Sequence, residues 1–168
     1  KTHPFGFTAL KVDLRRRRDP HEPVVARSLS RHLSTAELRD NQRYYTNLRE
    51  ALGDDYEFSV HCHWEFDLPD ALALARAVAP ARPWWIEDPM PPEYSESWAR
   101  LTAASPVPIL TGENLYARHG FKPFLTNGGC HLIQIDVPKA GGLLESKKIS
   151  DMADTYFIPV CAHNVASP

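Results

Sequence analysis

Four apolar runs in this chain each end on a side chain able to bind a metal or move a proton. Trp84-Trp85-Ile86 stops at Glu87, Ile109-Leu110-Thr111-Gly112 at Glu113, Leu132-Ile133-Gln134-Ile135 at Asp136, and Ile158-Pro159-Val160-Cys161-Ala162 at His163. A fifth run, Phe58-Ser59-Val60, leads into His61-Cys62-His63. From His61 the ends follow at intervals of 26, 26, 23 and 27 residues, the length of one strand, one helix and two loops. Reactive residues at the same point of successive strand–helix units build one site from many strands, as parallel α/β barrels do. The expected fold class is α/β, a (β/α)8-type TIM barrel whose parallel strands are joined by right-handed crossovers. The unit recurs in size, not in sequence.

A closed barrel of eight units takes about 250 residues. The chain has 168, room for about six units, so residues 1–168 read as a partial barrel, the catalytic domain of a longer polypeptide. A six-unit open sheet is the other possibility, and it would leave two edges to cover. With 43% hydrophobic residues, 24% charged residues and a formal net charge of −2, the composition is that of a globular protein without a polyanion partner. No apolar run approaches the ~18 residues of a membrane-spanning helix, and the chain opens on no signal-peptide pattern. Cys62, Cys130 and Cys161 show no paired spacing, which favours a reducing compartment. A cytoplasmic protein with neither nucleic-acid nor membrane partners is expected; a homo-oligomer is allowed.

Phe7–Asp13 reads as a strand. Residues 14–33 break the pattern with Arg15–Arg18 and Asp19-Pro20-His21-Glu22-Pro23, a long loop of the kind that serves as a lid or insertion. In a lid the arginines would meet an anionic substrate; as a surface stretch they would be solvated. Ser34-Thr35-Ala36-Glu37 is a capping-box signature for a helix carrying Leu38, Tyr45, Leu48 and Leu52 and stopping at Gly53. Asp67-Leu68-Pro69 starts another, with aspartate as cap and Leu68, Ala71, Leu72, Ala75 and Val78 inward. Further helices are expected from Trp98 to Ala104, from Leu115 to Leu125, and from Gly141-Gly142 to about Tyr156.

Glu87 and Glu113, at equivalent ends of adjacent parallel strands, would repel unless neutralised, and a hard dication, Mg²⁺ first, resolves this. The structural alternative is that each caps a helix or pairs with a lysine. Asp136 and His163 also end adjacent strands; a carboxylate holding one imidazole nitrogen makes the other a general base. The plainer reading is a buried pair that joins two strands. Lys11 can act as a base or, charged, stabilise an oxyanion. His61 and His63 share one strand face, where both can chelate zinc, or one can be an acid and the other a ligand. Asn114 and Asn164 follow strand ends, where they can orient substrate hydroxyls or start turns.

Trp85-Ile86-Glu87-Asp88-Pro89, Thr111-Gly112-Glu113-Asn114, Ile135-Asp136-Val137-Pro138-Lys139-Ala140-Gly141-Gly142 and Ala162-His163-Asn164 resemble, in that order, the barrel domain of the enolase superfamily. The likeness is to its mandelate racemase/muconate lactonizing enzyme-like branch, of acid-sugar dehydratase type, and covers roughly the second to the seventh barrel strand. It implies an amino-terminal capping domain and terminal strands outside this chain. It also implies Mg²⁺ on a substrate carboxylate, removal of the neighbouring carbon-bound proton, and an enediolate. By position Glu87 and Glu113 match metal ligands, and Asp136 with His163 the base dyad. In the dehydratases' Asp-x-His, aspartate is the third ligand and histidine the acid; His63 matches that acid, while His61 stands in place of the aspartate. Racemases of the branch carry Lys-x-Lys where this chain has Lys11-Val12-Asp13, so a single base, and dehydration rather than racemisation, is implied.

The leading expectation is a Mg²⁺-dependent dehydratase of a small carboxylate, a sugar acid, with His163, Asp136, His63 and Lys11 catalytic. Glu87, Glu113 and His61 would bind the metal, and Asn114 and Asn164 the substrate. The alternatives are a racemase or epimerase of the same superfamily, a zinc amidohydrolase-type enzyme, and a degenerate, non-catalytic barrel that lost its metal with the change to His61.

Overall fold

The computed structural model describes residues 6–16 and 31–165. The chain divides into two compact units. The first runs to Met90 and takes in Ser105–Val107; the second comprises Pro91–Ala104 and the residues from Pro108 onward.

The first unit holds strands β1 (Ala9–Asp13), β2 (Glu57–His61) and β3 (Ile86–Glu87), parallel and paired in chain order. Asp13 lies opposite His61, and His61 opposite Glu87, so the reactive ends are level. Phe58, Ser59, Val60 and His61 are all buried, the signature of a parallel strand covered on both faces. Helix α1 (Thr35–Leu52) packs beside α2 (Leu68–Val78), which a 3₁₀ turn at Ala79–Ala81 follows. Tyr45 stacks on Phe58 with ring centroids 5.8 Å apart.

The capping box that starts α1 is complete. Ser34 Oγ accepts from the Glu37 backbone N–H at 3.2 Å, and Glu37 Oε2 accepts from the Ser34 N–H at 3.0 Å. We expect Ser34→Ala to lose about 1 kcal/mol, read as a lower urea midpoint with an unchanged slope. Leu38, Leu48 and Leu52 are only half-buried; the deepest residues of α1 are Glu37, Asn41 and Tyr45. The polar pair is used to hold the chain that leaves β1. Arg15 N–H donates to Asn41 Oδ1 at 3.1 Å, and Arg16 Nε to Glu37 Oε1 at 3.1 Å. Arg16 also reaches Glu65. Arg15 and Arg16 therefore serve structure; Arg17, Arg18 and the rest of the expected lid, up to residue 30, lie outside the described residues. In α2 proline does occupy the first turn, but Asp67 makes no side-chain cap and instead accepts from Arg31. The inward stripe uses Leu74 rather than Leu72.

The second unit contains α3 (Glu96–Ala104), β4 (Ile109–Thr111), α4 (Ala117–Thr126), β5 (Leu132–Asp136), α5 (Val137–Ala140), α6 (Leu143–Asp154) and β6 (Val160–His163). Its strands are again parallel, with Asp136 opposite His163. Trp98 and Tyr94 both meet the edge of Phe124, at 5.2 and 5.3 Å between centroids. His131 Nδ1 accepts from the Ile109 N–H at 3.0 Å, which ties the start of β5 to that of β4. Burial lowers the His131 pKa, in keeping with that acceptor role.

The helix expected from Gly141-Gly142 is α6, with Gly142 as its N-cap, and an additional short helix, α5, precedes it. A one-turn α5 begins directly on Asp136, whose Oδ1 accepts from the Lys139 N–H at 3.0 Å, and Pro138 sits in its first turn. It ends at Gly141, where φ of +113° suits glycine, and α6 follows. Gly112, just after β4, has φ of +138°; a Cβ there would lie 2.1 Å from the Gln134 carbonyl oxygen.

Candidate active site

In the first unit the ends of β1, β2 and β3 gather Lys11, Asp13, His61, His63 and Glu87. Lys11 lies two residues short of the end of β1 and reaches up to Glu87, its Nζ 2.7 Å from Oε1. Glu87 is almost fully buried, so this ammonium is its counter-charge, and Trp85 Nε1 approaches the other carboxylate oxygen at 3.4 Å. The lysine pairing that is the structural alternative for Glu87 is thus present.

His61 turns one nitrogen to each neighbouring strand: Nδ1 lies 3.5 Å from Asp13 Oδ1, and Nε2 lies 3.7 Å from Glu87 Oε1. Burial is the main influence on its pKa and outweighs the pull of Glu87, lowering it to about 4, so the ring is neutral near pH 7. His63 does not continue the strand. β2 stops at His61, and His63 and Trp64 take φ of +53° and +60°; the His63 ring lies 3.8 Å from that of His61 between centroids, tilted by 36°. His63 Nε2 then lies 3.2 Å from Asp13 Oδ1. Between the histidines Cys62 is buried, and burial pushes its thiol well above the ordinary range, which removes it as a thiolate nucleophile.

Sequence reasoning passes over Asp88. It is buried, with φ of +46°, and offers a carboxylate oxygen within 4.8 Å of ligand atoms of both His61 and Glu87. Its signal is its place in the Glu-Asp-Pro run, and aspartate is among the residues that tolerate the left-handed region.

In the second unit Glu113, Asn114, Asp136 and His163 stand at or just beyond strand ends. His163 Nδ1 is 2.8 Å from Asp136 Oδ2, and its Nε2 is 2.9 Å from Glu113 Oε2, all three side chains being buried. Burial would raise the Asp136 pKa, but the Lys139 N–H, the hydrogen bond from His163 and the neighbouring positive charge together bring it below the ordinary value. Asp136 is therefore ionised at neutral pH and holds its end of the imidazole. Lys139 also escapes sequence reasoning: its Nζ donates to Asn114 Oδ1 at 2.9 Å, which leaves the amide NH₂ of Asn114 to donate elsewhere. Asn164 follows β6 and is exposed.

Tested for a hard dication, the donors fit in part. Glu87 and Glu113 are buried carboxylates of the kind Mg²⁺ takes, whereas His61 supplies an uncharged nitrogen, a donor better suited to d-block ions. No helix among the described residues is long and apolar enough to cross a membrane.

A family model described as enolase C-terminal domain-like matches residues 3–168. Among curated proteins, the D-xylonate dehydratase of Haloferax volcanii is 37% identical over 164 residues, which are 98% of this chain and 39% of that protein. The chain thus spans about two-fifths of that relative's length. Among solved structures, a mandelate racemase/muconate lactonizing enzyme-like protein from Rubrobacter xylanophilus superposes with a TM-score of 0.88 at 32% identity, covering 97% of this chain and 41% of that one. A racemase from Streptomyces coelicolor with bound magnesium gives a TM-score of 0.79 at 26% identity, covering 95% and 40%. The fold is accordingly part of the (β/α)8 barrel of the enolase superfamily, in agreement with the spacing of strand ends and the resemblance of their motifs.

Proposed function

The chain belongs to the enolase C-terminal domain-like family, and from that premise we propose that the full-length protein is a Mg²⁺-dependent dehydratase, a carbon–oxygen lyase, acting on a sugar acid. The observation that carries this reading is the buried dyad of Asp136 and His163, joined at 2.8 Å across adjacent strand ends. A relative that is itself a sugar-acid dehydratase supports the substrate class.

In this reading Glu87 and Glu113 hold the metal at positions that match the family's ligands, and His61 joins them in the place where the family has aspartate. When bound, the ion would act as a Lewis acid on the substrate carboxylate, a contribution of several kcal/mol. His163, with Nδ1–H donating to Asp136, takes the proton α to the carboxylate on Nε2. The electron pair left on the α carbon forms the double bond to the β carbon as the hydroxyl departs. His63 gives that hydroxyl its proton, so water leaves, and the enol tautomerises to a 2-keto acid. Lys11 stabilises negative charge developing on the carboxylate, while Asn114 and Asn164 orient hydroxyls. Asp13, where racemases of the branch carry a second lysine, leaves no second cationic acid on that strand, which favours dehydration over racemisation. A capping domain and the remaining barrel strands complete the enzyme, and the protein works in the cytoplasm.

The test is incubation of the full-length protein and Mg²⁺ with a library of aldonic and aldaric acids, assayed for 2-keto acid. No turnover across the library would sink the reading. His61→Asp restores a charged oxygen ligand and is expected to tighten Mg²⁺ binding about tenfold or more in calorimetric titration. Unchanged affinity would remove residue 61 from the ligand set. Mg²⁺ binding only by the variant would favour the degenerate barrel.

A further inference from the structure

We propose that Asp13, His61 and His63 form a chelate site for a borderline dication of the Zn²⁺ or Co²⁺ class, which shares His61 with the Mg²⁺ set proposed above and competes with it. The site lies wholly at the ends of β1 and β2. One ligand atom from each residue lies within 4.8 Å of the others. Asp13 Oδ1 stands 3.5 Å from His61 Nδ1 and 3.2 Å from His63 Nε2. Those separations bracket the ~3.3 Å edge of a tetrahedron with metal–ligand bonds of ~2.0–2.1 Å, the geometry of zinc sites. A hydrogen bond from His63 to Asp13 would need only one imidazole. The second, 3.5 Å from the same carboxylate oxygen, is what a chelate adds.

The backbone supports this. His63, whose Nε2 meets Asp13, and Trp64 after it adopt left-handed φ, a conformation that costs non-glycine residues free energy and collects at ligand-binding positions. Two nitrogens and one oxygen select a d-block ion over Mg²⁺, which takes oxygen ligands. The half-exposed His63 and largely exposed Asp13 leave the fourth position open to water or substrate among the described residues.

His61 joins this site to the proposed catalytic one, since its Nδ1 faces Asp13 and its Nε2 faces Glu87. A neutral imidazole has one unprotonated nitrogen, so it serves one ion at a time. On the dehydratase reading, Zn²⁺ would then take both the third metal ligand and the acid His63, and would inhibit.

The experiment is calorimetric Zn²⁺ titration of the full-length protein, with Co²⁺ followed by its visible d–d bands, in parallel with Asp13→Asn and His63→Gln. Zn²⁺ is expected to bind at least about a hundredfold more tightly than Mg²⁺, and each substitution to weaken Zn²⁺ about tenfold or more and alter the Co²⁺ spectrum. Asp13→Asn, at an exposed side chain, separates loss of the ligand from loss of the fold, which circular dichroism checks. Zn²⁺ affinity unchanged in Asp13→Asn, or no tighter than that of Mg²⁺, overturns the proposal. Tight, Asp13-dependent Zn²⁺ binding without dehydration of any acid sugar overturns the proposed function and leaves this site standing.

Discussion

Replacing His163 by glutamine should lower kcat of the full-length protein by about 10²–10⁴-fold with the fold intact, the range that general acid–base catalysis supplies. Glutamine is close in size and keeps an N–H that can donate to Asp136, so the buried carboxylate retains a partner. What it lacks is a nitrogen basic enough to take a carbon-bound proton. KM should move little, because the change removes proton transfer rather than binding. Exchange of the substrate's α proton with D₂O separates this role from a structural one: the variant should stop the exchange, whereas a residue that only joins two strands would leave it running. Exchange and kcat preserved in His163→Gln would assign the base elsewhere.

Gly112→Ala should destabilise the protein by about 3 kcal/mol or more, combining a strained backbone with an overpacked contact. The backbone at Gly112 has φ of +138°, and the added methyl would come within 2.1 Å of the carbonyl oxygen of Gln134. That oxygen belongs to β5, so relief requires the main chain of one strand to move from another. Gly112 also immediately precedes Glu113, so any relief shifts a proposed metal ligand. Denaturant unfolding followed by tryptophan fluorescence reads the effect as a lower midpoint. A midpoint equal to the parent's would mean that β4 and β5 approach with slack the present geometry lacks.

The strand ends are legible because a polar residue closing an apolar run leaves a mark independent of partners. The registers bear this out within each unit: Asp13 with His61 and Glu87, Asp136 with His163. Helix starts written in local chemistry are equally plain, as at Ser34, where both halves of the motif lie within four residues. What stays hidden depends on partners distant in sequence. Asp67 looks like a cap until Arg31 claims its carboxylate, and α1 looks like a leucine-faced helix until Arg15 and Arg16 draw Glu37 and Asn41 inward. The period of a strand puts His61 and His63 on one face, but the strand stops at His61, and a left-handed turn follows at His63 and Trp64. Nothing in the local sequence announces that turn, since neither residue is a glycine. The single turn of α5 is concealed because its cap is a residue that already suits the chemistry.

That double use restricts position 136 more than either role alone. One oxygen of Asp136 starts a helix by taking the Lys139 N–H, and the other holds the imidazole of His163. Serine or asparagine would start the helix as well, but neither brings a negative charge to the ring. Glutamate brings the charge, on a stem one carbon too long to stay folded against its own backbone. The orientation of a proton-transfer group is thereby referenced to the main chain, like a sight fixed to its barrel, and aspartate is the one residue whose length and charge satisfy both ends of the mounting.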